Sequence, residues 1–291
     1  MLGNTVLKRV ERLEKKHGID NHVFAKVENT NPSGSIKDRA VYQMLLGYFE
    51  RNVLKEGATV IEATSGNTGI ALAYFQKEFK IKVIIVMPMS MSKERREMIA
   101  KYGAELVLVD GGMAEANKKA QELKEQIAGS IIFGQFDNAD NVLAHYLHTG
   151  PEIFNELEKV DYVFAGIGTG GTATGIGKFI KDNNLNTKII GVEPYESPLL
   201  TKGFAGKHKI QGIGANFVPS ILRKEYIYDI TTCVSDDAIK MAYEIRNEEG
   251  IDCGISSGAA LNACFNYLKE HDIHNKNVVV IFPDRGDRYS W

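Results

Sequence analysis

Residues 58–79 read ATVIEATSGNTGIALAYFQKEF: an apolar run, a short polar stretch and a second apolar run with a different period. The first run, at 58–63, predicts a strand, and the second, at 68–79, predicts a helix from its apolar spacing. The polar stretch between them opens the helix, and such a loop can hold an anion with its backbone N–H groups. Taken alone, the stretch is equally compatible with a capped strand-to-helix turn.

The alternation of strand and helix continues along the chain, and continuous Val/Ile runs separated by helices are typical of buried parallel strands in an α/β fold. No low-complexity linker interrupts the pattern, so a second domain is expected to be interleaved with the first rather than tethered to it. The predicted strands are 22–28, 58–63, 82–87, 105–109, 162–167, 188–192 and 277–282. The predicted helices follow residue 37 and occupy 68–79, 93–101, 114–127 and 172–181.

Composition narrows the class of protein. The 291 residues suggest one large domain or two ordinary ones, and a formal charge of −2 makes nucleic acid and anionic membranes poor partners. No apolar run has the length of a membrane span, and residues 1–16 are too polar for a signal peptide. The three cysteines (Cys233, Cys253 and Cys264) lack metal-ligand spacing, so no metal site is predicted. Their odd, sparse count fits reduced thiols in a cytoplasmic protein.

The stretch NPSGSIKDRA, at 31–40, places a lysine where a helix is predicted to begin. Asn-Pro and Ser-Gly are turn signals, Ser35 is a candidate N-cap, and Asp38 resembles a capping-box partner. Lys37 then falls in the first helical turn, where exposed N–H groups disfavour a cation and tend to lower the pKa of the lysine. A lysine of lowered pKa is a better amine nucleophile, of the kind that forms Schiff bases. A solvated surface lysine beside Arg39 is the alternative.

A glycine-rich stretch follows the predicted strand at 162–167. Its glycines allow close backbone approach and its threonines add hydroxyl donors, as in a phosphate-binding loop. The overlapping stretch GIGTGG, at 166–171, also matches the dinucleotide fingerprint G-x-G-x-x-G, with Glu193 as a candidate ribose carboxylate. An NAD-dependent enzyme is therefore a second hypothesis, although it leaves Lys37 and residues 64–69 without a role.

The stretch CGISSGAAL, at 253–261, places Ser256 and Ser257 just before a helix that is predicted to start near Ala259. A serine in this place is by default an N-cap. It could also hydrogen-bond a ligand.

Six motifs, in this order, resemble those of the cysteine synthase (O-acetylserine sulfhydrylase) family: NPSGSIKDR, EATSGNTGIALA, GTGGTATG, HKIQGIGANFVP, GISSGAA and FPDRGDRY. This family is part of the fold type II enzymes that use pyridoxal 5′-phosphate. The likeness runs from LGNT, at 2–5, to residue 289. It implies an α/β fold of two interleaved three-layer αβα domains with mainly parallel sheets, similar to the tryptophan synthase β subunit. The smaller, mobile domain is expected at 37–142, and the larger one at 1–36 and 143–291.

The resemblance also implies roles for single residues. Lys37 is expected to form the Schiff base with the cofactor and to move the proton at the substrate Cα. Asn67 is expected to hydrogen-bond the 3′-oxygen, and Ser256 to meet the pyridine nitrogen, with Ser257 as the alternative. The cofactor phosphate is expected on Gly168, Thr169, Gly170, Gly171 and Thr172. The substrate carboxylate is expected on Thr64, Ser65, Gly66, Thr68 and Gln135.

The activity implied is β-replacement that forms L-cysteine from O-acetyl-L-serine and sulfide through an aminoacrylate intermediate. Two departures qualify it: Val6 replaces the proline of GNTPL, and Asn216 replaces a glycine of GAGF near the expected β-substituent. The alternative within the family consumes cysteine and releases hydrogen sulfide, with lanthionine, cystathionine or serine as product. A homodimer is expected from the resemblance, and a serine acetyltransferase is a possible partner.

Overall fold

The computed structural model describes residues 2–64, 66–90 and 93–289, and its strands form two separate sheets. One sheet has the order β1-β2-β10-β7-β8-β9 and the other has the order β5-β4-β3-β6. All strand pairs are parallel except β1 with β2. The strands are β1 (Leu7–Arg9), β2 (His22–Val27), β3 (Thr59–Ala63), β4 (Lys82–Pro88), β5 (Glu105–Val109), β6 (Ile131–Ile132), β7 (Tyr162–Gly166), β8 (Lys188–Pro194), β9 (Asp229–Cys233) and β10 (Asn277–Phe282).

Helices connect the strands and begin directly after several of them. Two π-helical turns, His145–Thr149 and Ile245–Glu249, extend α6 and α10, and short 3₁₀ turns cover Glu28–Thr30, Lys224–Tyr226 and Gly286–Arg288. In the described part of the chain, none of the helices combines the length and apolar character needed to span a bilayer. The α-helices are α1 (Glu11–His17), α2 (Lys37–Glu50), α3 (Asn67–Phe75), α4 (Lys93–Lys101), α5 (Met113–Gln126), α6 (Asp140–Ala144), α7 (Gly150–Glu156), α8 (Gly171–Asp182), α9 (Leu199–Lys202), α10 (Ser235–Glu244) and α11 (Ile255–Glu270).

Each sheet is covered on both faces, because successive strand residues point to opposite sides. In the six-stranded sheet, Val278 packs with residues of α10 and α11, whereas Val279 packs with residues of α7 and α8. In the four-stranded sheet, Ile85 packs with α2 and α3, and Val86 packs with α5. Burial on both faces explains why the strands are almost continuously apolar.

The predicted fold class is confirmed. The chain builds β1 and β2 of the larger sheet, then the whole four-stranded sheet, and then returns to the larger sheet with β7. The two three-layer units are therefore interleaved, and the domain limits at residues 37 and 142 stay a prediction. Two predicted helix limits are wrong by four residues, since α3 ends at Phe75 rather than at 79 and α11 begins at Ile255 rather than near Ala259. The other predicted helix limits differ from the structure by at most one residue.

Candidate active site

Loops that follow the carboxyl ends of strands from both sheets meet in one place. Asn67, after β3, donates its side-chain Nδ2 to Asp284 Oδ2, after β10, at 2.7 Å. Thr68 Oγ1 donates to Gln135 Oε1, after β6, at 2.6 Å. Parallel strands carry their loops to the same edge, which is where ligands bind in open α/β sheets. The four-stranded and six-stranded sheets therefore present their loops to each other.

Asn141 joins these loops to the glycine-rich stretch. Its side-chain Nδ2 donates to the Gln135 main-chain oxygen at 2.8 Å and to Thr169 Oγ1 at 3.2 Å. Asn141 is almost fully buried, and Thr169 Oγ1 in turn accepts from Gly171 N at 3.4 Å. A single side chain thus connects a predicted carboxylate-binding residue with a predicted phosphate-binding residue.

Lys37 is the first residue of α2, and its half-buried side chain lies near Asp284 and His145. It thus borders the space where these loops meet, which we call the cleft. Burial lowers the pKa of its amine to about 8, because the charged form loses hydration, and the negative charge of Asp284 offsets part of that effect. The predicted capping by Ser35 and Asp38 is wrong in detail. The N-cap position is Ile36, although Lys37 N donates to Ser35 Oγ at 3.3 Å.

Asp38 reaches back to Ser33 rather than to Ser35. Its carboxylate accepts from Ser33 N at 2.5 Å and from the Ser33 hydroxyl. The turn before the helix is therefore tied to the first helical turn, which holds the segment that carries Lys37. Burial raises the pKa of Asp38 to about 6, and these hydrogen bonds oppose the rise.

Arg39 anchors the start of α2 in a buried ion-pair network. Its guanidinium donates to Glu28 at 2.7 and 2.9 Å, and to Glu152 at 2.7 and 2.6 Å. Burial by itself would raise the pKa of Glu152, but the hydrogen bonds and charge of Arg39 outweigh it and lower that pKa to about 2. Bidentate pairing satisfies charges that are otherwise costly to bury. The network holds the main chain two residues from Lys37.

The glycine-rich loop between β7 and α8 has no room for side chains at three of its positions. A Cβ on Gly168 would lie 2.2 Å from the main-chain oxygen of Gly212, and one on Gly171 would lie 2.1 Å from Asn141 Oδ1. Gly170 has a φ of 84°, a left-handed conformation that favours glycine. The loop therefore packs closely against Gly212 and Asn141 and brings its main-chain N–H groups to the start of α8, an arrangement that binds phosphate groups.

The hydroxyl of Thr172 adds a polar group to this loop. Thr172 Oγ1 lies 3.2 Å from His145 Nε2, and the other ring nitrogen of His145 lies 3.0 Å from Thr149 Oγ1. Burial lowers the pKa of His145, and the nearby positive charges of Lys37 and Arg39 lower it further. The imidazole is therefore neutral at physiological pH and orients Thr172 without adding charge.

The amino end of α11 lies against Asp284. A Cβ on Gly254 would lie 2.3 Å from Asp284 Oδ1, and Gly254 N donates to the Asp284 main-chain oxygen at 3.2 Å. Ser256 and Ser257 are both buried in the first turn of this helix. Neither is the N-cap, since Gly254 holds that position. The expected pyridine-nitrogen contact is thus carried on a helix end that lies beside the Asn67–Asp284 pair.

The predicted carboxylate-binding loop is partly assembled. Thr64 Oγ1 accepts from Gly66 N at 3.2 Å, which folds the loop back on itself. Thr68 and Gln135 are buried and contact each other, as described above. Ser65, the other residue predicted here, lies outside the described residues.

Asn216 is exposed on the segment that follows Gly212. Gly214 N donates to the main-chain oxygen of Ile167 at 2.9 Å, which places this segment directly beside the glycine-rich loop. The neighbouring Phe217 contacts Phe136, with ring centroids 4.9 Å apart. Asn216 therefore lies at the rim of the cleft.

Residues 1–284 match the family model described as pyridoxal-phosphate dependent enzyme. Cysteine synthase B of Campylobacter jejuni is 44% identical to the chain, over 99% of the chain and 95% of the relative. The chain belongs to the cysteine synthase family of pyridoxal-phosphate dependent enzymes. A cysteine synthase structure from Entamoeba histolytica is 37% identical, with a TM-score of 0.94 over 99% of this chain and 87% of that chain. A hydrogen sulfide-producing enzyme from Fusobacterium nucleatum is 38% identical, with a TM-score of 0.94 over 99% of this chain and 97% of that chain.

Family membership identifies pyridoxal phosphate as the cofactor, and the cleft fits this group. The glycines at 168 and 171 let this loop pack closely against Gly212 and Asn141, which brings main-chain N–H groups to the start of α8, where a phosphate can be held. Lys37 supplies an amine of lowered pKa beside the cleft. The NAD hypothesis is wrong. Glu193, its ribose carboxylate, is buried and accepts from Leu200 N at 2.8 Å and from Thr201 N at 3.0 Å.

The structure adds polar residues to which sequence reasoning assigned no role. They share burial and direct contact with a predicted site residue: Glu62, Asn141, His145, Asp284 and Arg288. A carboxylate within the apolar strand run at 58–63 was a usable signal for Glu62. The motif FPDRGDRY contained Asp284 and Arg288, and Arg288 donates to Asn67 Oδ1. Its composition alone did not indicate which of its charged residues face the cleft.

Proposed function

We propose that the protein forms L-cysteine from O-acetyl-L-serine and sulfide by replacement at the substrate Cβ. The observation that carries this proposal is the position of Lys37, an amine with a pKa of about 8 that lies near Asp284 and His145. Asp284 is hydrogen-bonded to Asn67, and His145 contacts Thr172 of the glycine-rich loop. General base catalysis is most effective when the pKa of the base is close to the working pH. The cysteine synthases among its relatives support the choice of reaction.

Each loop then has a binding task. The cofactor phosphate is held by the loop from Gly168 to Thr172, and the 3′-oxygen by Asn67. Ser256 meets the pyridine nitrogen. The donor carboxylate is held by the hydroxyls and N–H groups of the loop from Thr64 to Thr68, together with Gln135.

Lys37 carries the proton transfers. Its neutral amine takes the proton from the substrate Cα, and the resulting ammonium later returns a proton to the same carbon. When bound, the cofactor supplies the electron sink that stabilises negative charge at that carbon. The group at Cβ then leaves, and sulfide adds in its place. Arg39 and Asp38 keep the Lys37 main chain in position through the contacts described above.

Asn216 supports a second candidate. Its exposed amide lies at the rim of the cleft, where the resemblance predicts glycine. A hydrogen sulfide-producing enzyme is also among the similar structures, at 38% identity. The second candidate is the consumption of cysteine with release of hydrogen sulfide, while water or another thiol enters.

The test offers O-acetyl-L-serine, O-phospho-L-serine and L-cysteine separately to the holoenzyme and measures cysteine and sulfide. Highest kcat/KM with O-acetyl-L-serine and sulfide supports the first candidate, and highest kcat/KM with cysteine supports the second. Lys37→Ala should abolish turnover, since general base catalysis alone is worth roughly 10²–10⁴ in rate. Lys15→Ala, at a side chain that is 75% exposed, is the matched control. Near-normal turnover by Lys37→Ala would overturn the role of this lysine.

Three further parts of the proposal concern assembly and place. We infer that a smaller domain at 37–142 moves when the donor binds and that the protein forms a homodimer. We also infer that it acts in the cytoplasm, with its three cysteines reduced. The three cysteine side chains are buried, and burial raises the pKa of each thiol. A serine acetyltransferase is a candidate partner. Analytical ultracentrifugation of the chain alone, and of the chain with such an enzyme, tests both assemblies.

A further inference from the structure

Glu62 is a buried carboxylate in the middle of an apolar strand. It is 4% exposed, and its neighbours Val60 and Ile61 are fully buried. Its two oxygens accept hydrogen bonds from Gly134 N at 3.1 Å and from Gln135 Nε2 at 2.9 Å. No lysine or arginine of residues 2–64, 66–90, 93 and 96–289 forms an ion pair with it. In this part of the chain, N–H donors of Gly134 and Gln135 rather than a cation satisfy the carboxylate, and one of these donors is the Gln135 side chain.

These contacts determine how the Gln135 amide is oriented. A carboxylate accepts hydrogen bonds, so Glu62 requires the Nε2 end of the amide to face it, while Thr68 Oγ1 donates to the Oε1 end at 2.6 Å. A side-chain amide has two N–H groups, and Glu62 uses one of them. The second N–H remains to donate to a ligand. Rotation of the amide by 180° would place an oxygen against the Glu62 oxygens, which is unfavourable in a buried site.

We propose that Glu62 is a positioning residue for the donor carboxylate: it holds the Gln135 amide so that its second N–H group faces that carboxylate. This inference rests on the proposed function, in which Gln135 binds the donor. Glu62 itself does not touch the donor, and acts through Gln135. Without it, the amide could turn its oxygen toward the incoming carboxylate and repel it.

The charge state of Glu62 is compatible with this role. Burial raises the pKa of Glu62 to about 7, and the hydrogen bonds from Gly134 and Gln135 oppose that rise. Asp137 and Tyr48 are further ionisable groups that interact with it. With a pKa of about 7, about half of the Glu62 population is ionised at pH 7, so Glu62→Gln removes that charge as well as one acceptor oxygen. Glutamine offers one acceptor oxygen where the carboxylate offers two.

The test measures binding of L-serine, an amino acid that lacks a good leaving group, to holoenzyme through the change in cofactor absorbance. In Glu62→Gln, the Kd for L-serine and the KM for the donor should rise roughly twofold to tenfold, the range for loss of one well-oriented hydrogen bond. The change in kcat should be smaller, and cofactor content should not change. Glu56→Gln, at a carboxylate that is 66% exposed, is the matched control and should leave Kd unchanged.

A second background separates positioning from a general loss of structure. In Gln135→Ala, the additional change Glu62→Gln should raise Kd by less than twofold, because the group that Glu62 orients is gone. An unchanged Kd in Glu62→Gln, or effects that multiply in the double variant, would overturn the proposal. If Glu62→Gln does not fold, Glu62→Asp keeps the carboxylate but shortens it, and should raise Kd in the same way. Because L-serine binding needs no turnover, this Kd can be measured even if the protein does not catalyse the proposed reaction. Failure of the proposed reaction is therefore distinguishable from failure of the role proposed for Glu62.

Discussion

The lowered pKa of Lys37 leads to a quantitative prediction for the cofactor-free protein. With a pKa of about 8, roughly one Lys37 amine in ten is neutral at pH 7, against about one in 3,000 for a lysine at 10.5. Only the neutral amine attacks an aldehyde, so Lys37 should capture added pyridoxal phosphate far faster than an ordinary lysine at this pH. Because burial lowers the pKa of Lys37, the neutral, reactive fraction of its amine rises between pH 7 and 8 and levels off above about pH 9.

The assay follows covalent capture by absorbance after mixing cofactor-free protein with pyridoxal phosphate between pH 6 and 10. Lys37→Ala measures capture by the other lysines, and its rate is subtracted. Asp284→Asn should move the inflection to lower pH, because the carboxylate of Asp284 raises the pKa of Lys37. An inflection near pH 10 in the wild type, or one that does not depend on Lys37, would refute the assignment of a lowered pKa to the Lys37 amine.

Further predictions concern the loops around Lys37. Gly168→Ala should lose most of its cofactor on dialysis, because the added Cβ would lie 2.2 Å from the main-chain oxygen of Gly212. Gly66→Ala should keep its cofactor, since the nearest atom to the added Cβ would be 3.9 Å away. Absorbance of the cofactor after dialysis checks both variants. Asn216→Gly should change the ratio of kcat/KM between O-acetyl-L-serine and L-cysteine by roughly twofold to tenfold, and an unchanged ratio would contradict this. Ser256→Ala should retain cofactor and much of the activity, since it removes one modest hydrogen bond. Ser256→Asp should instead favour protonation of the pyridine nitrogen and slow turnover severely. Rapid-scan absorbance checks the serine variants, and wild-type turnover by Ser256→Asp would point to Ser257 instead.

The strands of the fold could be predicted from sequence because burial on both faces makes them continuous apolar runs. The predicted strand at 277–282 and the predicted helix at 93–101 agree with β10 and α4 to the residue. Weaker signals were missed. Strand β6 is two residues long, and β1 is a short antiparallel edge strand with exposed positions, so neither has a recognisable period. The predicted start of α11 is late, since the helix already begins at Ile255 and Gly258 lies within it, packed closely against Ala238 and Ala242 of α10.

The site could be predicted only as separate stretches. Lys37, the loop at 64–69 and the loop at 168–172 each had a local signal: a lysine at a helix start, hydroxyls, or clustered glycines. Residues that support them had none, because their role depends on contacts between segments that are distant in sequence. Asn141 lies 28 residues from Thr169, and Asn67 lies 217 residues from Asp284. Composition and period carry no information about such pairs.

The arrangement of these contacts also explains why two sheets are needed for one site. The loops that are proposed to hold the donor carboxylate follow β3 and β6 of the smaller sheet, whereas the loop proposed to hold the cofactor phosphate follows β7 of the larger sheet. Asn141 connects Gln135 to Thr169 across this division, and the Asn67–Asp284 hydrogen bond connects the two sheets a second time. In the proposed function, a donor carboxylate bound at Gln135 is therefore connected through Asn141 to Thr169 of the glycine-rich loop. Binding energy from a part of the donor that does not react can in this way be used to align the part that does.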